Sequence, residues 1–363
     1  MYKKGQPDDS FKFRPLPTPT GSYPYHLHLA AVCGEVDSDQ LVFHMVGDTG
    51  SVGRPDFQKL VAAKMAEQCR ISGAPSACPR FLYHLGDIVY NYGEAACYPQ
   101  QFFEPYRRYP GPVFAISGNH DGDLNPEAPP YESLSAFMSV FCGKEPGIVP
   151  FSGDFRWQSN IQPNVYWTLQ TPLATIIGLY GNTLKFGRIE PDQQEWFKQE
   201  LRQAERERPS KALFVCLHHA PYSADTNHGS SLPMIEFLEN AFKESGVRPD
   251  IVFSGHVHNY QYFSKKYPDG KTIPFVIAGA GGYDQLHPIA DQDDPFFSEE
   301  HPLFKEVKLE KYCDDQHGFL KISLEKQGGG VRITGEYYTI PHEIKPEYEV
   351  IVTCAHRFCV EAG

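Results

Sequence analysis

Five short stretches of the 363-residue chain end an apolar run on side chains that bind cations or move protons. They read Gly47-Asp48-Thr49-Gly50, Gly86-Asp87-Ile88-Val89-Tyr90, Gly118-Asn119-His120-Asp121, Leu217-His218-His219-Ala220-Pro221-Tyr222 and Gly255-His256-Val257-His258. Four of the five place a glycine directly before the polar residue, where the backbone can turn sharply and another group can approach closely. Two aspartates, an asparagine and several histidines supply hard oxygens and borderline nitrogens, a donor set for Fe, Mn or Zn. Two such ions held ~3.5–4 Å apart clamp a phosphoryl group and lower the pKa of a bridging water from about 16 towards 7. A shared carboxylate bridges such a pair, and Asp87 is the natural candidate.

These stretches need a scaffold that gathers them. In open α/β sheets, functional groups collect outside the carboxyl ends of the strands. Apolar runs at 41–46, 81–85, 112–116, 211–217 and 250–254 are short enough to be strands buried on both faces. A strand pair is expected around 165–180, with its turn at Thr171-Pro172. Helices are expected from Pro55, over 131–141, from Pro191 to residue 207, and near 232–244. After residue 258 the texture becomes β, with runs at 273–279, 318–324 and 331–340 and a hairpin turn at Gln327-Gly328-Gly329-Gly330.

This order predicts a layered αββα sandwich of two mixed β-sheets flanked by helices, with a metal site at the strand C-terminal ends. Residues 1–24, with Pro15, Pro17, Pro19 and Pro24, read as an extended N-terminal arm. Residues 25–363 read as a single domain with a β-rich C-terminal segment. The acidic stretch 290–302 reads as a surface loop. His44 and His84, inside strand runs, and His26 and His28, alternating near the N-terminus, read as structural.

A formal charge of −12 argues against a nucleic-acid partner, whose phosphates are bound chiefly by Lys and Arg. No apolar run approaches the ~20 residues that span a bilayer, and no membrane partner is expected. The N-terminus lacks the apolar segment of a signal peptide, and the nine cysteines form no zinc-like pairs. A reducing, cytoplasmic location with free thiols is therefore expected.

Taken in order, GD-x-G, GD-x-x-Y, GNHD, H-x-x-P-Y and GH-x-H resemble the calcineurin-like metallophosphoesterase superfamily. Within it they are most similar to the purple acid phosphatases. The similarity runs from about residue 40 to the AGAGGY stretch at 278–283. One departure is Asp121, where the family more often has glutamate. A second is Gly50, where most of the superfamily has a metal-binding histidine. Tyr90, three residues past Asp87, stands where purple acid phosphatases use a tyrosine. A phenol with a pKa near 10 suits a trivalent rather than a divalent ion, because the extra charge stabilises the phenolate.

The resemblance implies an Fe(III) ion beside a divalent Fe, Zn or Mn. It implies Asp48, Tyr90 and His258 on the first metal, Asp87 between the two, and Asn119, His218 and His256 on the second. His120 would orient substrate or protonate the leaving group, with Asp121 holding its imidazole. The fourth motif leaves two counts open. Counting back from Tyr222 and Ser223 favours His218 as ligand; counting from Ala220-Pro221 favours His219, which otherwise faces substrate. His228 is expected as a further catalytic contact, and Asn91 and Tyr92 as part of the phosphate pocket.

The expected activity is hydrolysis of a small phosphorylated substrate, a monoester, by a metal-bound hydroxide. A phosphodiesterase or nucleotide pyrophosphatase on the same ligands is the alternative within enzymes. A non-catalytic binding scaffold is the alternative outside them, and the full ligand set argues against it.

Overall fold

The computed structural model describes residues 15–71, 77–182, 187–290 and 304–362. Its strands, in chain order, are β1 (His26–His28), β2 (Gln40–Val46), β3 (Leu82–His84), β4 (Val113–Ala115), β5 (Trp167–Gln170), β6 (Ala174–Gly178) and β7 (Ala212–Leu217). There follow β8 (Ile251–Ser254), β9 (Tyr260–Lys266), β10 (Thr272–Ala278), β11 (Val307–Cys313), β12 (Gly318–Gln327), β13 (Gly330–Thr339) and β14 (Thr353–Glu361). They form a six-stranded sheet, β14-β13-β12-β2-β3-β4, and an eight-stranded one, β1-β5-β6-β7-β8-β10-β9-β11. Both are mixed. The β2-β3-β4 and β6-β7-β8-β10 blocks are parallel, and antiparallel strands extend each block.

The short apolar runs form strands because both of their faces are covered. On β2, Phe43 and Met45 share a core with Phe214 and Cys216 of β7 and Phe253 of β8. Phe43 stacks on Phe81 at 4.7 Å within its sheet and lies 6.5 Å from Phe214 of the other sheet. Val46 and Val215 point the opposite way, into a core shared with helices. There they meet Val61 and Met65 of the Asp56–Ile71 helix, Phe197 and Leu201 of Pro191–Glu205, and Leu238 of Leu232–Ser245. The predicted layering is the one observed. Tyr260 and Tyr337, stacked at 3.9 Å, close the sandwich towards its other edge.

The β12–β13 hairpin turns on Gly328 and Gly329, at φ of +59° and +91°. Two successive left-handed residues are what a tight two-residue hairpin demands. The helix expected over 131–141 is shorter, Ser135–Phe141. Leu134 sits at φ +62°, so the chain reaches helical geometry only after it.

Residues 15–24 hold no regular element but are tied to the sandwich. The amides of Thr20 and Gly21 donate to the Pro163 carbonyl, and the Trp196 indole donates to that of Pro24 at 2.7 Å. The rest of the expected arm, residues 1–14, and positions 291–302 of the expected acidic loop lie outside the described residues.

Candidate metal centre

All five motifs meet at one end of the sandwich. Asp48 follows β2, Asp87 and Tyr90 follow β3, and Asn119, His120 and Asp121 follow β4, all in the six-stranded sheet. His218 follows β7, and His256 and His258 follow β8, in the eight-stranded sheet. Asp48, Asp87 and His256 adopt φ of +58°, +54° and +69°. Non-glycine residues are uncommon there and cost of order 1–3 kcal/mol each unless their surroundings hold them. Here they do: the His256 amide donates to Asp48 Oδ2 at 2.8 Å, and the Asp87 amide to Asp121 Oδ2 at 2.9 Å.

The side chains form two groups that share one oxygen. In the first, Tyr90 Oη lies 3.1 Å from Asp87 Oδ2, 3.3 Å from His258 Nε2 and 3.4 Å from Asp48 Oδ1. In the second, Asn119 Oδ1 lies 3.0 Å from His256 Nδ1 and 3.2 Å from His218 Nε2. His218 Nε2 is in turn 3.3 Å from Asp87 Oδ2. Asp87, His218 and His256 offer ligand atoms that all lie within 4.8 Å of one another.

The histidines are set up as donors of lone pairs. His218 Nδ1–H donates to the Leu85 carbonyl at 2.8 Å, which turns Nε2 towards Asp87 and Asn119. His258 Nδ1–H donates to the Gln285 carbonyl at 3.2 Å and turns Nε2 towards Tyr90. Metal-binding histidines are commonly fixed in this way. His219 is oriented differently: its ring packs on His256 at 4.4 Å. The geometry therefore favours His218 as the ligand.

Burial pushes Asp48 well above the usual carboxylate range. Burial would raise Asp87 too, but His218 and His120 hold it well below that range. His218, lowered by burial but raised more by Asp87 and Asp48, reaches about 9. Burial and neighbouring histidines keep His256 and His258 well below the ordinary imidazole value. Two buried carboxylates faced by histidines rather than by Lys or Arg are a site that a cation would stabilise. The donor set, the fixed tautomers and the shared oxygen fit a pair of metal ions.

Close packing explains two glycines. A Cβ on Gly118 would stand 2.0 Å from Asp87 Oδ1, and one on Gly50 would stand 2.8 Å from the Tyr90 ring.

The remaining predicted residues are placed as follows. The His120 amide donates to Asp87 Oδ1 at 2.9 Å, and its Nδ1 bonds the Asn91 carbonyl at 2.9 Å. That corrects the expected role of Asp121, because Asn91 holds the imidazole. The buried Asp121 carboxylate instead accepts the amides of Asp87, Ile88, Val89 and Gly118 at 2.7–3.2 Å. Asn91 is exposed, and its carbonyl makes the His120 contact; the Tyr92 carbonyl accepts from Tyr131 Oη at 2.7 Å. His228 packs on His256 at 4.4 Å, inside the cluster. His44 bonds Tyr109 Oη and Gln68, His84 bonds Thr49 Oγ1, and His26 bonds Glu200, while His28 is exposed.

Four contributors are not evident from the motifs. Tyr283 packs on Tyr90 at 4.3 Å and on His258 at 4.4 Å. Gln101 clamps the Tyr90 backbone with two 2.8 Å bonds. Asp225 and His287 join the histidine cluster from loops. Of these, only Tyr283 carried a signal, in the Gly-Gly-Tyr that closes 278–283.

This geometry agrees with the sequence comparisons. The calcineurin-like phosphoesterase family matches residues 41–260, more than half of the chain, and the chain belongs to that family. Among curated relatives, purple acid phosphatase 15 of Arabidopsis thaliana is 27% identical over 191 residues, 51% of this chain and 32% of the relative. Purple acid phosphatase 18 of the same plant is 29% identical over 173 residues, 42% of this chain and 37% of the relative. The chain thus spans about a third of the length of these relatives. Among solved structures, purple acid phosphatase PPD1 from yellow lupin seeds superposes with a TM-score of 0.59 at 16% identity, covering 89% of this chain and 54% of that one. GAP50, described as the anchor in the inner membrane complex of Plasmodium, superposes at 0.57 and 15% identity, covering 90% of each chain. At these identities the structural likeness is one of fold.

Proposed function

We propose that this chain is a phosphomonoesterase of the purple acid phosphatase type, working on a small phosphorylated substrate with two metal ions. The observation that carries the reading is Asp87 Oδ2, which faces Tyr90 on one side and His218 on the other. Asp48, Tyr90 and His258 would hold one ion, Asn119, His218 and His256 the other, and Asp87 both. Burial, Asp87 and Asp48 push the Tyr90 phenol well above its ordinary value, so only a strongly charged ion such as Fe(III) would keep it ionised. The partner ion would be divalent Fe, Zn or Mn.

When bound, the ions supply positive charge to phosphoryl oxygens and Lewis acidity towards water. The chain supplies the rest. Asp121 fixes the loop that carries Asp87, and the His120 amide holds Asp87 Oδ1. With Nδ1 tied to Asn91, His120 presents Nε2 to the phosphoryl or leaving-group oxygen. His228, packed on His256, closes the other side and offers a second ring to the leaving group.

The experiment is metal analysis combined with paired assays. We expect stoichiometric iron plus a second transition metal, and faster hydrolysis of p-nitrophenyl phosphate than of bis(p-nitrophenyl) phosphate. A reversed preference would favour the phosphodiesterase reading. Protein without a stoichiometric transition metal, and inactive on both esters, would favour a non-catalytic scaffold.

A further inference from the structure

We propose that Asp225 and His287 form a positioning pair that carries His228 over the metal centre; the inference rests on the function proposed above. No motif contains either residue, and they are 62 positions apart.

Asp225 is wholly buried, and its carboxylate works in two directions. Within its own loop it accepts the Asn227 amide on Oδ1 at 3.1 Å and the His228 amide on Oδ2 at 3.2 Å. Across to the next loop, the same Oδ2 accepts His287 Nδ1–H at 3.1 Å. One oxygen therefore sets both the backbone of His228 and the ring of His287.

His287 is anchored well enough to serve as the fixed end. Its amide donates to the His258 carbonyl at 3.2 Å, and its own carbonyl accepts Asn259 Nδ2 at 2.8 Å. Its ring lies nearly parallel to that of His258, at 4.4 Å and 22°. The two loops are also stitched by backbone: the Thr226 amide donates to the Pro288 carbonyl, and the Ala290 amide to that of Ala224. His228 thereby stands 5.1 Å from His287 and 4.4 Å from His256, ring to ring. A buried carboxylate is a costly way to hold a surface loop. Its placement is accounted for if the position of His228 is what it protects.

The pair is separable by substitution. His287→Asn places an amide nitrogen close to the position of Nδ1, so it keeps the bond to Asp225 and loses the ring. His287→Phe keeps the ring and loses the bond. Asp225→Asn keeps one acceptor and turns a donor towards its partners.

Each variant is compared with the wild type for kcat and KM on p-nitrophenyl phosphate, metal content, melting temperature, and Zn(II) binding by calorimetry. The wild-type assay tests the function itself. Outer residues of metal sites commonly change activity about 10–100-fold. We expect Asp225→Asn and His287→Phe to lose kcat in that range with Zn(II) stoichiometry kept, and His287→Asn to recover at least half of the loss. Equal kcat per bound metal in all three variants would overturn the proposal, as would His287→Phe outperforming His287→Asn. If the wild type proves inactive, imidazole NMR decides the positioning on its own. Asp225→Asn should then shift the ring signals of both His228 and His287, and a change confined to His287 would overturn it.

Discussion

The Tyr90 ring occupies the space that a side chain at residue 50 would need. A Cβ on Gly50 would meet Tyr90 Cδ2 at 2.8 Å, and Gln101 Oε1 and the Ile88 carbonyl at 2.7 Å. Glycine at 50 is thus required by Tyr90, Gln101 and the Ile88 carbonyl together, and a histidine in the first motif does not fit beside this packing. Gly50→Ala should cost about 1–3 kcal/mol of stability, as overpacking does, and should displace the phenol. Thermal melts of metal-free protein check the cost. Tyr90→Phe should melt nearly as the wild type does but, once loaded with iron, lose its visible absorption. A visible band kept in Tyr90→Phe would remove the phenolate from the metal site.

Asp121 offers a test of structure against catalysis. Its carboxylate accepts four backbone amides of the loops that present Asp87 and Asn119. Asparagine has one acceptor and would leave buried N–H groups unbonded, each worth about 1–3 kcal/mol. Asp121→Asn should therefore lose about 2–4 kcal/mol in urea unfolding, together with metal affinity. A residue acting only as a proton carrier would lose rate with stability intact.

Two histidines away from the metal centre set an acid limit. Burial drives His44 down to about 3, with the Gln68 hydrogen bond opposing and the Lys321 charge adding a little, and burial with His342 takes His317 to about 3. Both are neutral when folded and titrate near 6.5 when unfolded. Their stabilising contribution is full above pH 6.5 and is lost as pH falls towards 3, at about 1.4 kcal/mol per unit for each residue. Near pH 5 the pair should cost about 4 kcal/mol relative to pH 7. Urea midpoints at pH 7, 6 and 5 measure the total slope, and His44→Gln should lower it by about 1.4 kcal/mol per pH unit.

The parallel core of the sandwich and the first ring of side chains were legible for one reason. Buried parallel strands are continuous apolar runs, and each ends on its chemistry, so that β2 announces Asp48 and β8 announces His256. The outlying strands β11 and β14 gave no such signal. β11, VKLEKYC, is mostly exposed, and β14 mixes cysteines, histidine and arginine on an open edge. β9 follows the last histidine motif directly, where the sequence shows a β texture but no bounded apolar run. The second ring was hidden for a different reason. Gln101, on the short Pro99–Phe103 helix, and Asp225 and His287, on loops, act through a few polar bonds at isolated positions, and no periodicity marks such residues. Asp121 shows the same limit in reverse, since its neighbour in sequence, His120, is not its partner in space.

The six-stranded sheet contributes Asp48, Asp87, Tyr90 and Asn119, and the eight-stranded sheet contributes His218, His256 and His258. The centre is therefore also a clasp. Any sliding of one sheet over the other must pull donors of the two halves apart, and ions bound between them would resist it. Binding to the folded state alone adds about 2.7 kcal/mol at a hundred times the dissociation constant. On the proposed function, scarcity of metal would cost the protein both its reagent and a fastening between its two layers.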